Sequence, residues 1–260
     1  MTIDAHVHID LKRWKTVKAA AGNLVRDMEK SGVEKAVLLP DNYLNLNEHI
    51  EKACALFPGK FYGFGMVNPL QAKGRIKKEM QALTSKKWCK GIKIHPRTQN
   101  FNLDAPGVFH IAEFAAKSEF PLTIDCLPIF KFTVLDEKSF PNAFDRLAKN
   151  NPCTNIIIAH MGGHRLMDAF AVAKANPNIF LEVSYSFYFY SGSSVENDML
   201  FAIKKLGPQK IIYGSDHPAI GIGKGLKNFK ALCDKINLKT ADQRYIFGKN
   251  ISRLINIDPI

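Results

Sequence analysis

Eight short apolar runs, each followed by a stretch with helical spacing, predict an α/β chain folded as a (β/α)8 TIM barrel. Three observations carry this. The strand–helix alternation is unbroken from end to end, which demands a parallel sheet. The strand runs are apolar throughout, as strands buried on both faces are. The first strand ends in histidines, where a doubly wound sheet would normally show a glycine-rich phosphate loop. No linker or shift in composition divides the chain, so residues 1–260 are expected to form a single domain.

The first strand is Ile3-Asp4-Ala5-His6-Val7-His8-Ile9-Asp10. Thr16 to Lys30 has apolar residues at helical spacing and closes on Gly32. Ala36-Val37-Leu38-Leu39 is a strand stopped by Pro40, followed by a helix from Asn47 to Phe57. Phe61 to Val67 and Arg75 to Ser85 make the third unit, and Gly91 to Pro96 with Val108 to Lys117 the fourth. The strands Leu122 to Cys126, Asn155 to His160, Ile179 to Val183 and Lys210 to Asp216 follow. Helices from Phe140 to Lys149, Arg165 to Ala175 and Val195 to Leu206 come between them, and two more, Gly225 to Ile236 and Ala241 to Ile255, end the chain.

Composition narrows the function. With a net charge of +12 the chain invites a nucleic-acid reading, but its lysines are spread over most helices and form no dense run or recognisable module. A positive mean field instead favours approach of an anionic small molecule. Apolar runs stay short of the roughly 18 residues a membrane span needs. The first strand starts too soon after Met1 to leave room for a leader, so a cytoplasmic protein is expected. Five scattered cysteines without a C-x-x-C pair fit reduced thiols. A homo-oligomer is left open.

The chemistry gathers where such barrels place it, at the C-terminal strand ends. His6 and His8 alternate with apolar residues, so on a regular strand both imidazoles point the same way and can reach one ion. Two strand histidines can also be plain core or surface residues. What tips the reading is the company they keep: Lys93 and His95 on strand four, Asp125 on strand five, His160 on strand six and Asp216 on strand eight. Such a ring suits a divalent cation with an open water position.

The motifs His6-x-His8, Gly91-Ile92-Lys93-Ile94-His95-Pro96, Ala159-His160-Met161-Gly162-Gly163 and Tyr213-Gly214-Ser215-Asp216-His217-Pro218 resemble the amidohydrolase-related branch of the amidohydrolase superfamily. The tail Gly248 to Leu254 is similar to that family's closing helix. The branch holds metal-dependent TIM-barrel hydrolases, lactonases and aminocarboxymuconate-semialdehyde-type decarboxylases. The resemblance implies one divalent metal ion, zinc before manganese, on His6, His8 and Asp216. It makes Asp216 the proton acceptor for metal-activated water and His160 an acid/base residue. Where the family usually has a histidine at the end of strand five, this chain has Asp125. A carboxylate there is either a further ligand that favours Mn²⁺ or a hydrogen-bonding partner of substrate or His160. Lys93 is either a carbamate bridging two metals or an ammonium that is structural or faces the substrate.

Lys93, His95, Arg97 and Tyr185 are the candidate substrate-binding residues, Arg97 as a clamp for a carboxylate. Two further loops are expected to shape the pocket: the apolar Leu127, Pro128, Ile129, Phe130 and Phe132, and the aromatic run Tyr185 to Tyr190. The leading expectation is therefore an enzyme, a metal-dependent hydrolase cleaving an amide, ester or lactone of a small anionic substrate. Its alternative is a non-oxidative decarboxylase of the same family. A non-catalytic ligand-binding barrel is the alternative from another class.

Overall fold

The computed structural model describes residues 1–41, 46–127, 138 and 141–257. Eight parallel strands pair in sequence order: β1 Ile3–Val7, β2 Lys35–Leu38, β3 Phe61–Gly65, β4 Cys89–Ile94, β5 Leu122–Ile124, β6 Ile156–Ile158, β7 Ile179–Glu182 and β8 Ile211–Ile212. The sheet closes on itself beyond β8. There the Ala5 amide donates to the Tyr213 carbonyl at 3.0 Å, the Asp216 amide to His6 at 2.9 Å and the His8 amide to His217 at 2.7 Å. The expected TIM barrel is present.

The helices between the strands are α1 Val17–Ser31, α2 Asn47–Leu56, α3 Lys73–Thr84, α4 Pro106–Lys117, α5 Ala143–Asn150 and α6 Leu166–Ala175. A short turn α7 Ser186–Phe189 precedes α8 Ser194–Leu206, and α9 Ile222–Lys235 follows the last strand. Local chemistry sets their ends. The Thr16 hydroxyl caps α1 by accepting from the Ala19 amide at 3.2 Å, and Gly32 stops the helix at φ 71°. The single closing helix expected from the sequence is instead α10 Thr240–Arg244, a π-helical turn Tyr245–Lys249 and α11 Asn250–Leu254. The turn swells because the Ile246 carbonyl accepts from the Tyr213 amide, while Gly248 lies so close to the Met1 carbonyl that a Cβ would approach within 2.4 Å.

The core has two layers. Between sheet and helices lies the larger cluster, with Ile92, Ile94, Leu122, Ile124, Ile156, Ile158, Ile179 and Leu181 among its members. Inside the barrel sits a smaller plug of Ile3, Ala5, Val37, Leu39, Phe64, Ile157 and Ile212. Gly91 makes room for that plug, since a Cβ there would fall 2.6 Å from the Phe64 ring. No helix among the described residues is long and apolar enough to cross a membrane.

Candidate active site

On three strands the inward column ends in a charged side chain at the C-terminal end. On β4 it runs from Gly91 to Lys93, on β5 from Thr123 to Asp125, and on β7 from Phe180 to Glu182. Strand β1 reaches the same result by a detour. Ile3 and Ala5 pack into the inner plug, but Val7 and Ile9 belong to the outer cluster. The register of β1 against β2 shifts between Asp4 and Val7. This irregularity turns His6 and His8 inward, where strict alternation from Ile3 would have pointed them out. Asp4 holds the bend, its Oδ1 accepting from the amides of Ser215 at 2.9 Å and His6 at 3.2 Å.

The two imidazoles are fixed in one tautomer. His8 Nδ1 donates to the Leu39 carbonyl at 2.8 Å, and His6 Nδ1 donates to Glu182 Oε2 at 2.8 Å. Both Nε2 atoms are thereby left as lone-pair donors, and both face Asp216 Oδ1, at 3.5 Å from His6 and 3.7 Å from His8. Such separations suit atoms arranged around one cation, and a carboxylate behind a ligating histidine is the usual way its orientation is set. His6, His8 and Asp216 thus fit a divalent ion. Burial drives the pKa of both histidines down, and a neutral imidazole is the form a metal needs. A second grouping, His6, His160 and Glu182, is closed by hydrogen bonds through Ser184.

His160 presents a different chemistry. Its Nδ1 lies 3.0 Å from the Ser184 carbonyl and its Nε2 3.2 Å from Asp125 Oδ2. Both neighbours are acceptors, a setting that favours a proton on each ring nitrogen. Burial opposes the charge of that form, but the Asp125 carboxylate overcomes it and raises the pKa. Asp125 in turn receives Arg97 Nη2 on Oδ1 at 3.0 Å, with His95 Nε2 at 3.3 Å from Oδ2. Burial works against this carboxylate too, yet His95, the His160 hydrogen bond and Arg97 together hold its pKa well below the usual range. Burial pushes His95 itself down to about 3.

These groups line a cavity of about 130 Å³. His6, His8, Lys93, His95, Arg97, Asp125, His160 and Asp216 all border it, so the barrel brings together every site residue expected from the sequence except Tyr185. The Tyr185 ring stacks on Phe189 at 5.5 Å. Asp125 is not brought into the group of His6, His8 and Asp216; both its oxygens are engaged across the cavity by Arg97, His95 and His160. Leu127 lines the cavity, whereas Pro128, Ile129, Phe130 and Phe132 lie outside the described residues.

Sequence reasoning missed Asp41, Glu182 and Ser184. Asp41 follows the Pro40 taken as a simple stop, and borders the cavity. Glu182 and Ser184 sit in and just past the seventh strand, where inward alternation with Phe180 was the available signal. Two residues lining the cavity, His160 and Asp216, hold φ at 60° and 68°, and Tyr185, next to Ser184, holds it at 59°. Left-handed backbone in bulky residues is strained, and it clusters at functional positions. Gly214 lets the eighth strand pass, because a Cβ there would meet Glu182 Oε1 and His6 Cβ at 2.6 Å.

A family model described as amidohydrolase matches residues 3–257. No curated protein matches the sequence. Among solved structures, an uncharacterized TIM-barrel protein from Bordetella bronchiseptica aligns with a TM-score of 0.80 at 16% identity, covering 98% of each chain. A 2,6-dihydroxybenzoate decarboxylase from Rhizobium aligns at 0.69 and 17% identity, again over 98% of both chains. A 5-carboxyvanillate decarboxylase from Novosphingobium aromaticivorans, complexed with manganese and 4-hydroxy-3-methoxy-5-nitrobenzoic acid, aligns at 0.70 and 17% identity. That alignment covers 99% of this chain and 96% of the other.

Proposed function

Because this chain belongs to the amidohydrolase family, we propose that it is a metal-assisted, non-oxidative decarboxylase of a small carboxylic acid whose carboxylate sits on an unsaturated or aromatic carbon. The observation that carries the reading is the doubly protonated setting of His160, between the Ser184 carbonyl and Asp125. Decarboxylation needs a proton donor at the carbon that loses CO₂, and His160 borders the cavity as an acid. Hydrolysis, the leading expectation from the sequence, needs a base first. Two of the structural neighbours are decarboxylases, which supports the same choice.

A divalent ion on His6 Nε2, His8 Nε2 and Asp216 would supply a fixed positive charge that binds and polarises an anionic oxygen of the substrate. Manganese is preferred over zinc on the oxygen donor in the set and on the manganese in a neighbouring decarboxylase. His160 gives its Nε2 proton to the substrate carbon as the bond to the carboxylate breaks and CO₂ leaves. Neutral His160 keeps its Nδ1 proton on Ser184, and solvent restores the other before the next turnover. Arg97 holds Asp125 ionised, which keeps His160 charged and aimed.

One observation favours hydrolysis as the second reading. Asp216 Oδ1 faces both Nε2 atoms and is placed to take a proton from water. The test offers Mn²⁺-loaded protein hydroxybenzoates, unsaturated carboxylic acids and a panel of lactones, in D₂O. Release of CO₂ with one deuterium at the vacated carbon is expected. Lactone opening without any CO₂ release would establish the hydrolase instead.

A further inference from the structure

We propose that Lys93 forms a second anion subsite and that the substrate is a dicarboxylic acid, one carboxylate held at the His6–His8–Asp216 end and the other at the Lys93 ammonium. This rests on the reading of a small carboxylic-acid substrate and names its class.

Lys93 is 1% exposed and borders the cavity. Its neighbours Ile92 and Ile94 pack outward, so its own side chain enters the barrel. Below it the inner column is closed by the Phe64 ring against Gly91. An ammonium carries three donors and no acceptor. Among the described residues no hydrogen bond and no ion pair within 4 Å holds Lys93 Nζ, and the residue lines the cavity, where a ligand can meet it.

Burial lowers the Lys93 pKa from its ordinary value, and the charges of three carboxylates, Asp125, Glu182 and Asp216, oppose that shift in favour of the ammonium. Each is committed elsewhere. Asp125 is held by Arg97 and His160, Glu182 by His6 and Ser184, and Asp216 faces the two Nε2 atoms. Arg97, which also lines the cavity, already has its carboxylate. Elsewhere in the same molecule a half-buried lysine is fully provided for: Lys210 Nζ donates to the carbonyls of Pro177, Ile179 and Asn176. The contrast singles out Lys93 as the cation whose partner comes with the ligand.

The test measures binding by calorimetry to the Mn²⁺-loaded full chain, using the matched pairs glutarate against valerate and isophthalate against benzoate. In at least one pair the dicarboxylate should bind about tenfold more tightly, equivalent to roughly 1.4 kcal/mol. Lys93→Met, with unchanged metal content, should bring that pair to within about twofold. Its melting temperature is measured alongside, so that a change in binding is separated from a change in folding. Should that variant fail to fold, Lys93→Gln serves the same comparison. Equal binding within both pairs in the native protein would overturn the proposal, as would a dicarboxylate preference that survives loss of the ammonium. Neither readout needs turnover. A preserved preference without CO₂ release would remove the decarboxylase reading and leave the subsite standing, and CO₂ release without a preference would do the reverse.

Discussion

The Ser184 hydroxyl offers one proton and two lone pairs and sits between a carboxylate and two imidazoles. The hydroxyl donates to Glu182 Oε2 at 2.8 Å and lies 3.0 Å from His6 Nδ1 and 2.9 Å from His160 Nδ1. One small side chain therefore touches the Nδ1 atoms of both His6 and His160. Ser184→Ala should weaken divalent-metal affinity by about tenfold to a hundredfold, the usual effect of losing a partner behind a ligand. Titration against a chelating dye reads this directly, and unchanged affinity would deny Ser184 its part. Asp216→Asn keeps the size and one oxygen but loses the charge, so turnover should fall by roughly two to four orders of magnitude. Steady-state kinetics with the metal content measured in parallel separate lost binding from lost proton transfer.

Strands and helices carry this chemistry because small residues permit close approach at chosen points. Gly91 on β4 is one of them, with the Phe64 ring where its side chain would be. Gly91→Ala should destabilise the barrel by about 1–3 kcal/mol through overpacking, measured as a lower urea midpoint at constant slope. A second device joins α8 to α9. Glu196 accepts from Lys235 Nζ at 2.6 Å and from the Gly192 amide at 2.9 Å. Lys235 in particular lowers the Glu196 pKa below its ordinary value near 4.5. The stabilisation is then present above about 4.5 and fades as pH falls through the lower folded value. Glu196→Gln should therefore melt lower than the native protein at neutral pH and approach it in acid. A gap that stays constant with pH would mean that the ion pair is not its source.

At the scale of the whole molecule, a cation bound only by the folded mouth adds to global stability by mass action. With free Mn²⁺ at about a hundred times its dissociation constant the gain is about 2.7 kcal/mol, enough to raise the melting temperature by several degrees. The double variant His6→Ala, His8→Ala should fold, since the barrel is held by its two apolar layers, and should lose that response. Calorimetric scans with Mn²⁺ and with a chelator check both halves. A native chain indifferent to Mn²⁺ would refute the cation site, and a double variant that still responds would move it elsewhere.

Periodicity and strand composition determined the barrel, because alternation between apolar runs and helical spacing leaves a parallel closed sheet as the way to bury both. Residue type and position at strand ends were enough to nominate His6, His8, Lys93, Asp125, His160 and Asp216. Three matters lay beyond a one-dimensional reading. The turn of β1 that faces His6 and His8 inward depends on its register against β2. The part played by Asp125 depends on Arg97, His95 and His160 arriving from two other strands. Glu182 and Ser184 matter only because closure of the barrel sets them behind His6, 176 residues away in the case of Glu182. A strand end shows which chemistry is available, and hydrogen bonds across the barrel decide which proton sits where.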